Sequence, residues 1–147
     1  MTPPGDTPKA APDGMLALGR SVLAQQAFSR LLGSELTAWD KQSCTLELPL
    51  RAELLQQNGF AHGGVVSYLA DNALTYAGGA ALEAPVVTSE FKINYVRPAL
   101  GQHLVARARA VAAGKAQAVC QCEVFAVDGG VEKLCAVAQG SIVRLGA

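Results

Sequence analysis

The stretch HGGVVSYLADNALTYAGGAAL, running from His62 to Leu82, decides the fold. Val65, Val66, Leu69, Ala70, Ala73, Leu74, Tyr76 and Ala77 place apolar groups on most sides of a helix that starts at Gly63 or Gly64 and ends near Leu82. A helix apolar nearly all round is wrapped by other structure. Between Glu53 and Glu83 the only formally charged residue is Asp71, set inside this helix. An ionised carboxylate taken from water without partners loses several kcal/mol or more, so Asp71 is exposed, paired, protonated or kept for chemistry.

Working outward, residues 1–12 hold four prolines and few large apolar side chains, the composition of a disordered lead-in. From Asp13, a plausible N-cap, Leu18, Val22, Leu23, Ala27, Leu31 and Leu32 recur at helical spacing until Gly33, which predicts one amphipathic helix. Glu35 to Trp39 and Cys44 to Leu50 alternate as a two-stranded hairpin turning near Asp40 to Gln42, and Ala52 to Gln57 forms a short helical turn. After the central helix, four stretches alternate as strands: Val86–Val96, Gln102–Ala112, Ala116–Val127 and Val131–Leu145, with turn residues between them. No helices separate these four, so the sheet is antiparallel. The order predicts a single α+β domain over residues 13–147, a long sheet curled around one central helix.

The 147 residues suit one domain with a real core. Twelve basic and twelve acidic residues cancel, which removes the broad positive field of nucleic-acid and anionic-membrane binders, so neither partner is expected. Cys44, Cys120, Cys122 and Cys135 form no C-x-x-C pair and read as buried small hydrophobes, as in a reduced, cytoplasmic protein. No apolar run is long enough to span a bilayer, and no secretory signal is apparent at the N-terminus.

Ser67, Asp71 and Thr75, four residues apart, share one stripe of the central helix without Lys, Arg or Glu, which suits a cleft wall better than a solvated face. Before it, Gln56-Gln57-Asn58-Gly59-Phe60-Ala61-His62-Gly63-Gly64 is a polar, glycine-rich turn into a helix N-terminus, where unpaired N–H groups gather. The N–H of Gly63 or Gly64 can meet the charge that develops on a carbonyl oxygen during acyl transfer. The turn has neither a dinucleotide fingerprint nor a phosphate-loop Lys-Ser/Thr ending. With His62 and His103 as the only histidines and no H-E-x-x-H, no metal site and no cofactor are expected; His62 reads as a residue that pins the turn.

The run His62 to Asp71, followed by Thr88-Ser89-Glu90-Phe91-Lys92-Ile93-Asn94-Tyr95-Val96-Arg97-Pro98, resembles the hotdog-fold acyl-CoA thioesterases of the phenylacetate-degradation (PaaI-like) type. His-Gly-Gly, the nine-residue step from His62 to Asp71 and the later Asn-x-x-Arg-Pro carry the resemblance together, over most of the chain beyond the first helix. It implies that Asp71 is nucleophile or general base, that the Gly63 N–H polarises the thioester carbonyl, that Gln56 assists, and that Thr75 or Ser89 holds water, with His62 beside them. Strand parity puts Ser89 on one face with Phe91, Ile93 and Tyr95, inward, and Thr88 outward. The resemblance further implies substrate contacts from Asn58, Gly64, Arg97, Pro98 and Lys115, the cations meeting coenzyme A phosphates. Arg107 and Arg109, alternating with alanines, read instead as a solvent face. It also implies a homodimer, paired again into a tetramer, with Asp71 facing Gln56 and Gly63 of the partner chain.

A thioester has a good leaving thiolate, so a carboxylate either attacks it to give a mixed anhydride or deprotonates an attacking water. The expected activity is hydrolysis of an aromatic or medium-chain acyl-CoA. The alternatives are a non-hydrolytic acyl-CoA or fatty-acyl binding module and, with less support because no second catalytic His is spaced for it, a hotdog dehydratase or hydratase.

Overall fold

The computed structural model describes residues 12–146. The disordered segment expected over residues 1–12 therefore lies, but for Pro12, outside the described residues. The elements are α1 (Pro12–Gln25), α2 (Ala27–Leu32), β1 (Glu35–Trp39), β2 (Ser43–Pro49), a 3-10 turn (Ala52–Leu54), α3 (Gly63–Leu82), β3 (Val86–Tyr95), β4 (His103–Ala113), β5 (Gln117–Asp128) and β6 (Val131–Arg144). One antiparallel six-stranded sheet in the order β1-β2-β4-β5-β6-β3 curls around α3, the expected hotdog arrangement.

The central helix is apolar because the sheet packs on it from several sides. Leu69, Ala70, Ala73, Leu74 and Ala77 are fully buried, facing Leu46, Leu48, Leu104, Cys120, Val124 and Ile142 from the strands. Gly78 lets β6 approach: a Cβ there would stand 2.5 Å from Ile142 Cβ. That glycine closes a packing contact; it neither ends the helix nor leaves room for a ligand. The four cysteines are buried and unpaired, as their sequence context indicated.

The N-terminal helix departs from expectation. It breaks at Gln26, whose backbone is extended (φ −83°, ψ 104°), into α1 and α2. The Gln26 side chain accepts from the Ser29 hydroxyl at 2.6 Å and from Asn72 Nδ2 at 3.3 Å. Tyr68 OH donates to Ser29 Oγ at 2.6 Å and lies 2.6 Å from Ser34 Oγ, so the break docks α2 on α3 through polar groups. Leu18, Val22 and Leu31 are consequently exposed, while Leu23 and Leu32 reach the core. Tyr76 OH donates to the Gly19 carbonyl at 2.8 Å and Trp39 Nε1 to the Tyr76 carbonyl at 2.9 Å, which clamps α1 and β1 to the helix.

A second departure sits in β3. The register against β6 shifts between Thr88 and Glu90, a β-bulge that adds one residue. Phe91 and Ile93 are part-buried against the core as expected, but on the N-terminal side of the bulge the inward residue is Thr88 and Ser89 is exposed. Parity read through the bulge is off by one residue, and this decides which hydroxyl reaches Asp71.

Candidate active site

Asp71 is partly buried in the middle of α3. Its Oδ1 accepts a hydrogen bond from Thr88 Oγ1 at 2.6 Å. Thr75 Oγ1 donates to the Asp71 carbonyl at 2.8 Å and stands 3.0 Å from Thr88 Oγ1. Each hydroxyl has one proton. With the Thr88 proton on Asp71, Thr75 donates to the Asp71 carbonyl or to Thr88 Oγ1, and both patterns leave Oδ2 without a partner among the described residues. Thr75 thus stands beside the carboxylate as expected. Ser89 does not touch it, and Thr88 takes that place. A bulge is invisible to alternation, so sequence reading passed over Thr88.

The glycine turn is ordered by backbone bonds. His62 caps α3: its Nδ1 accepts from the Gly64 N–H at 2.8 Å, which in a neutral ring puts the proton on Nε2. The His62 carbonyl accepts from Val65 and Val66, at 3.0 and 3.3 Å. Gly64 therefore has no N–H to offer, whereas the Gly63 N–H has no partner among the described residues. Of the two glycines, Gly63 is the one whose N–H stays open to an acceptor. His62 is a turn-pinning residue as its sequence position suggested, with one ring nitrogen committed to the cap.

Gln56 and Gly63 line one cleft of about 400 Å³ together with Val66, Tyr95, Arg97 and Pro98. Tyr95 OH donates to the Gly63 carbonyl at 3.0 Å, a contact with no signal in the sequence. Arg97 is exposed at this cleft and forms no ion pair among the described residues. Asn58 and Gly64 belong to the turn but do not line the cleft; the Asn58 N–H bonds to the Gln56 side-chain oxygen. Lys115 is exposed in the β4–β5 turn, with its carbonyl accepting from Arg144 Nε, and also lies outside the lining. Arg107 pairs with Glu132 at 2.6 Å on the outer face of the sheet, and each holds the other charged: the guanidinium pKa is raised and the carboxyl lowered, chiefly by that hydrogen bond. A wider groove of about 560 Å³ on that face, among Lys92, Arg109 and Gln121, contains none of the predicted catalytic residues.

Asp71 and Gly63 are eight residues apart on one helix, about 12 Å along its axis. A carbonyl group presents its carbon and oxygen within about 3.5 Å of a nucleophile and a donor. One chain's Asp71 and Gly63 therefore cannot act on the same thioester. The described residues hold no group of three or more His, Cys, Asp or Glu arranged for a metal ion, and no helix of theirs is long and apolar enough to cross a membrane.

Residues 58–133 match the thioesterase superfamily. A protein of Saccharolobus solfataricus, named provisionally as an esterase, is 30% identical over 127 residues, 83% of this chain and 80% of its own. The crystal structure of a thioesterase family protein from Silicibacter pomeroyi superposes with a TM-score of 0.84 at 31% identity, covering 88% of this chain and 97% of the other. A mutant of the phenylacetic acid degradation protein PaaI from Thermus thermophilus superposes with a TM-score of 0.70 at 31% identity, covering 82% and 100%.

Proposed function

Since this chain belongs to the thioesterase superfamily, as a hotdog-fold thioester hydrolase of PaaI-like type, we infer that it hydrolyses an aromatic or medium-chain acyl-CoA with Asp71 as the reacting carboxylate. The observation that carries this reading is that each chain offers a carboxylate held by Thr88 and, about 12 Å away at the start of the same helix, a free N–H at Gly63, the two halves of a site that a second copy completes. In the general-base route, the free Asp71 Oδ2 takes a proton from water as the water oxygen attacks the thioester carbon. The oxyanion accepts from the Gly63 N–H of a second copy, the C–S bond breaks, and the departing thiolate receives the proton. In the nucleophilic route, Asp71 Oδ2 forms the C–O bond as the C–S bond breaks and the thiolate leaves, taking a proton from solvent; water then cleaves the mixed anhydride, releasing the acid and restoring the Asp71 carboxylate.

The 12 Å separation supports a site shared between two copies, Asp71 from one and Gly63 with Gln56 from the other. β3 is an edge strand, and Val87 and Val96 on or beside it are about half exposed, which favours a seam there. A homodimer follows, paired again into a tetramer. The cleft beside Gly63 combines apolar walls with Gln56 and ends at Arg97, a composition suited to the pantetheine arm and a phosphate of coenzyme A; Lys115 is the further candidate for the nucleotide end. Unpaired buried thiols fit a cytoplasmic setting.

The test is thiol release from a panel of phenylacetyl-, benzoyl-, hydroxybenzoyl- and straight-chain acyl-CoAs by wild type and Asp71→Asn. Turnover in wild type with a loss of about two orders of magnitude or more in the variant supports the reading. Binding of acyl-CoA without turnover by wild type makes the protein a binding module instead. Label found in Asp71 after a single turnover in ¹⁸O-water identifies the nucleophilic route, with water attacking the Asp71 carboxyl carbon of the anhydride.

A further inference from the structure

We propose that Tyr95 is a positioning residue for the oxyanion donor, holding the Gly63 N–H in place from across the fold; this rests on the acyl-CoA thioesterase reading above. Gly63 opens a helix and has no side chain to anchor it, so only its backbone groups and their neighbours can hold it in place. Two peptide planes meet at this residue, and their four polar groups divide clearly. The His62 carbonyl is tied to Val65 and Val66, and the Gly64 N–H to His62 Nδ1. Beyond the ladder of its own helix, the Gly63 carbonyl is tied to Tyr95 OH at 3.0 Å. The fourth group is the free Gly63 N–H. The first two ties come from within the turn and move with it. Tyr95 comes from 32 residues away and ties the first residue of the helix to β3, beyond the backbone bonds from Ala61 N–H to the Ala99 carbonyl and from His62 N–H to the Leu54 carbonyl that hold the chain just before it.

The ring contributes separately. Its Cζ and Oη lie 3.4 Å, and its Cε1 3.6 Å, from where a Gly63 Cβ would stand, so the ring covers the α-carbon beside the donor. Tyr95 and Gly63 line the same cleft, and a covering ring limits water's approach to the N–H from that side. Tyr95 is 54% exposed, where water can satisfy its hydroxyl, so the bond to Gly63 adds little to stability and its value lies in geometry. The same strand carries Thr88, seven residues earlier, against Asp71. β3 therefore sets both the carboxylate and the N–H donor, groups whose placement within about 0.5 Å decides the rate.

The experiment compares wild type, Tyr95→Phe and Tyr95→Ala with the acyl-CoA that wild type hydrolyses fastest. It also follows native mass and, by NMR, hydrogen exchange of the Gly64 amide, the bonded N–H in the same peptide plane as the Gly63 carbonyl. Removing the hydroxyl alone is expected to lower kcat about five- to tenfold, leave KM within about twofold and speed Gly64 exchange at unchanged mass. The Ala variant, losing the ring as well, is expected to lose more. An unchanged kcat in Tyr95→Phe, or a change confined to KM, overturns the proposal while the thioesterase reading stands. A shift in native mass overturns it too, because Tyr95 would then act as a seam residue. If wild type hydrolyses no acyl-CoA, the thioesterase reading falls; faster Gly64 exchange in Tyr95→Phe would still support the tie, and unchanged exchange would sink both.

Discussion

Thr88 Oγ1 donates to Asp71 Oδ1 at 2.6 Å because a bulge at the next residue turns Thr88, and not Ser89, toward the helix. The hydroxyl fixes one carboxylate oxygen and leaves the other free to react. A group held this way loses no rotamer freedom when substrate arrives. Thr88→Val, which keeps the shape and removes the hydroxyl, is expected to lower kcat about tenfold with little change in KM, and Thr88→Ser to restore most of it. Ser89→Ala is expected to stay within about twofold of wild type. Steady-state kinetics on the three variants checks the assignment; a larger loss in Ser89→Ala than in Thr88→Val would reverse it.

The proposed division of Asp71 and Gly63 between two chains has a direct test in mixed oligomers. In a dimer of one Asp71→Asn chain and one Gln56→Ala chain, a shared site pairs the intact Asp71 of one with the intact Gln56 of the other. Equal mixing after unfolding and refolding is expected to recover about a quarter of wild-type activity, half the dimers being mixed with one good site in each. Sites contained within single chains would recover none.

Buried thiols make the fold sensitive to alkali. Burial pushes Cys44 up to about 12, and Cys120 and Cys135 up to about 11, and it raises Cys122 further. A thiol whose folded pKa is raised leaves stability untouched while both states hold its proton, that is, below the unfolded value near 9. Above it, the unfolded chain releases protons that the native state keeps, and stability falls by about 1.4 kcal/mol per pH unit for each such thiol. Thermal melts are therefore expected to drop steeply between about pH 9 and 11, and replacing Cys120 and Cys135 by Ala should flatten that slope.

Gly78→Ala tests the close packing of α3 under β6. Ala is the better helix former by about 1 kcal/mol, so propensity alone would stabilise the variant. Its Cβ would stand 2.5 Å from Ile142 Cβ and Cγ2, with both residues in the core. Overpacking is expected to win, with a net loss of about 1–3 kcal/mol in denaturant unfolding. Gly79→Ala, 3.3 Å from Val86 Cγ2, is expected to be milder.

The α+β class, the central helix, the hairpin and the four later strands were all legible in periodicity, because the apolar pattern of a wrapped helix and of half-buried strands is local to each element. So were the buried cysteines and the grouping of Asp71 with Thr75 on one stripe, which follows from helical spacing alone. The kink at Gln26 was not legible: besides its local bond from Ser29, Gln26 accepts from Asn72, a contact made only once α2 meets α3. The inward turn of Thr88 was hidden for a similar reason, since a bulge is a property of two paired strands and leaves single-strand alternation unchanged. That Gly64 is spent on His62 while Gly63 is free, and that Tyr95 crosses to hold it, depends on how a turn sits against a distant strand. Local sequence determined which elements form and which face each buries; the packing of one element on another decided which hydroxyl meets the carboxylate and which N–H remains to meet the substrate.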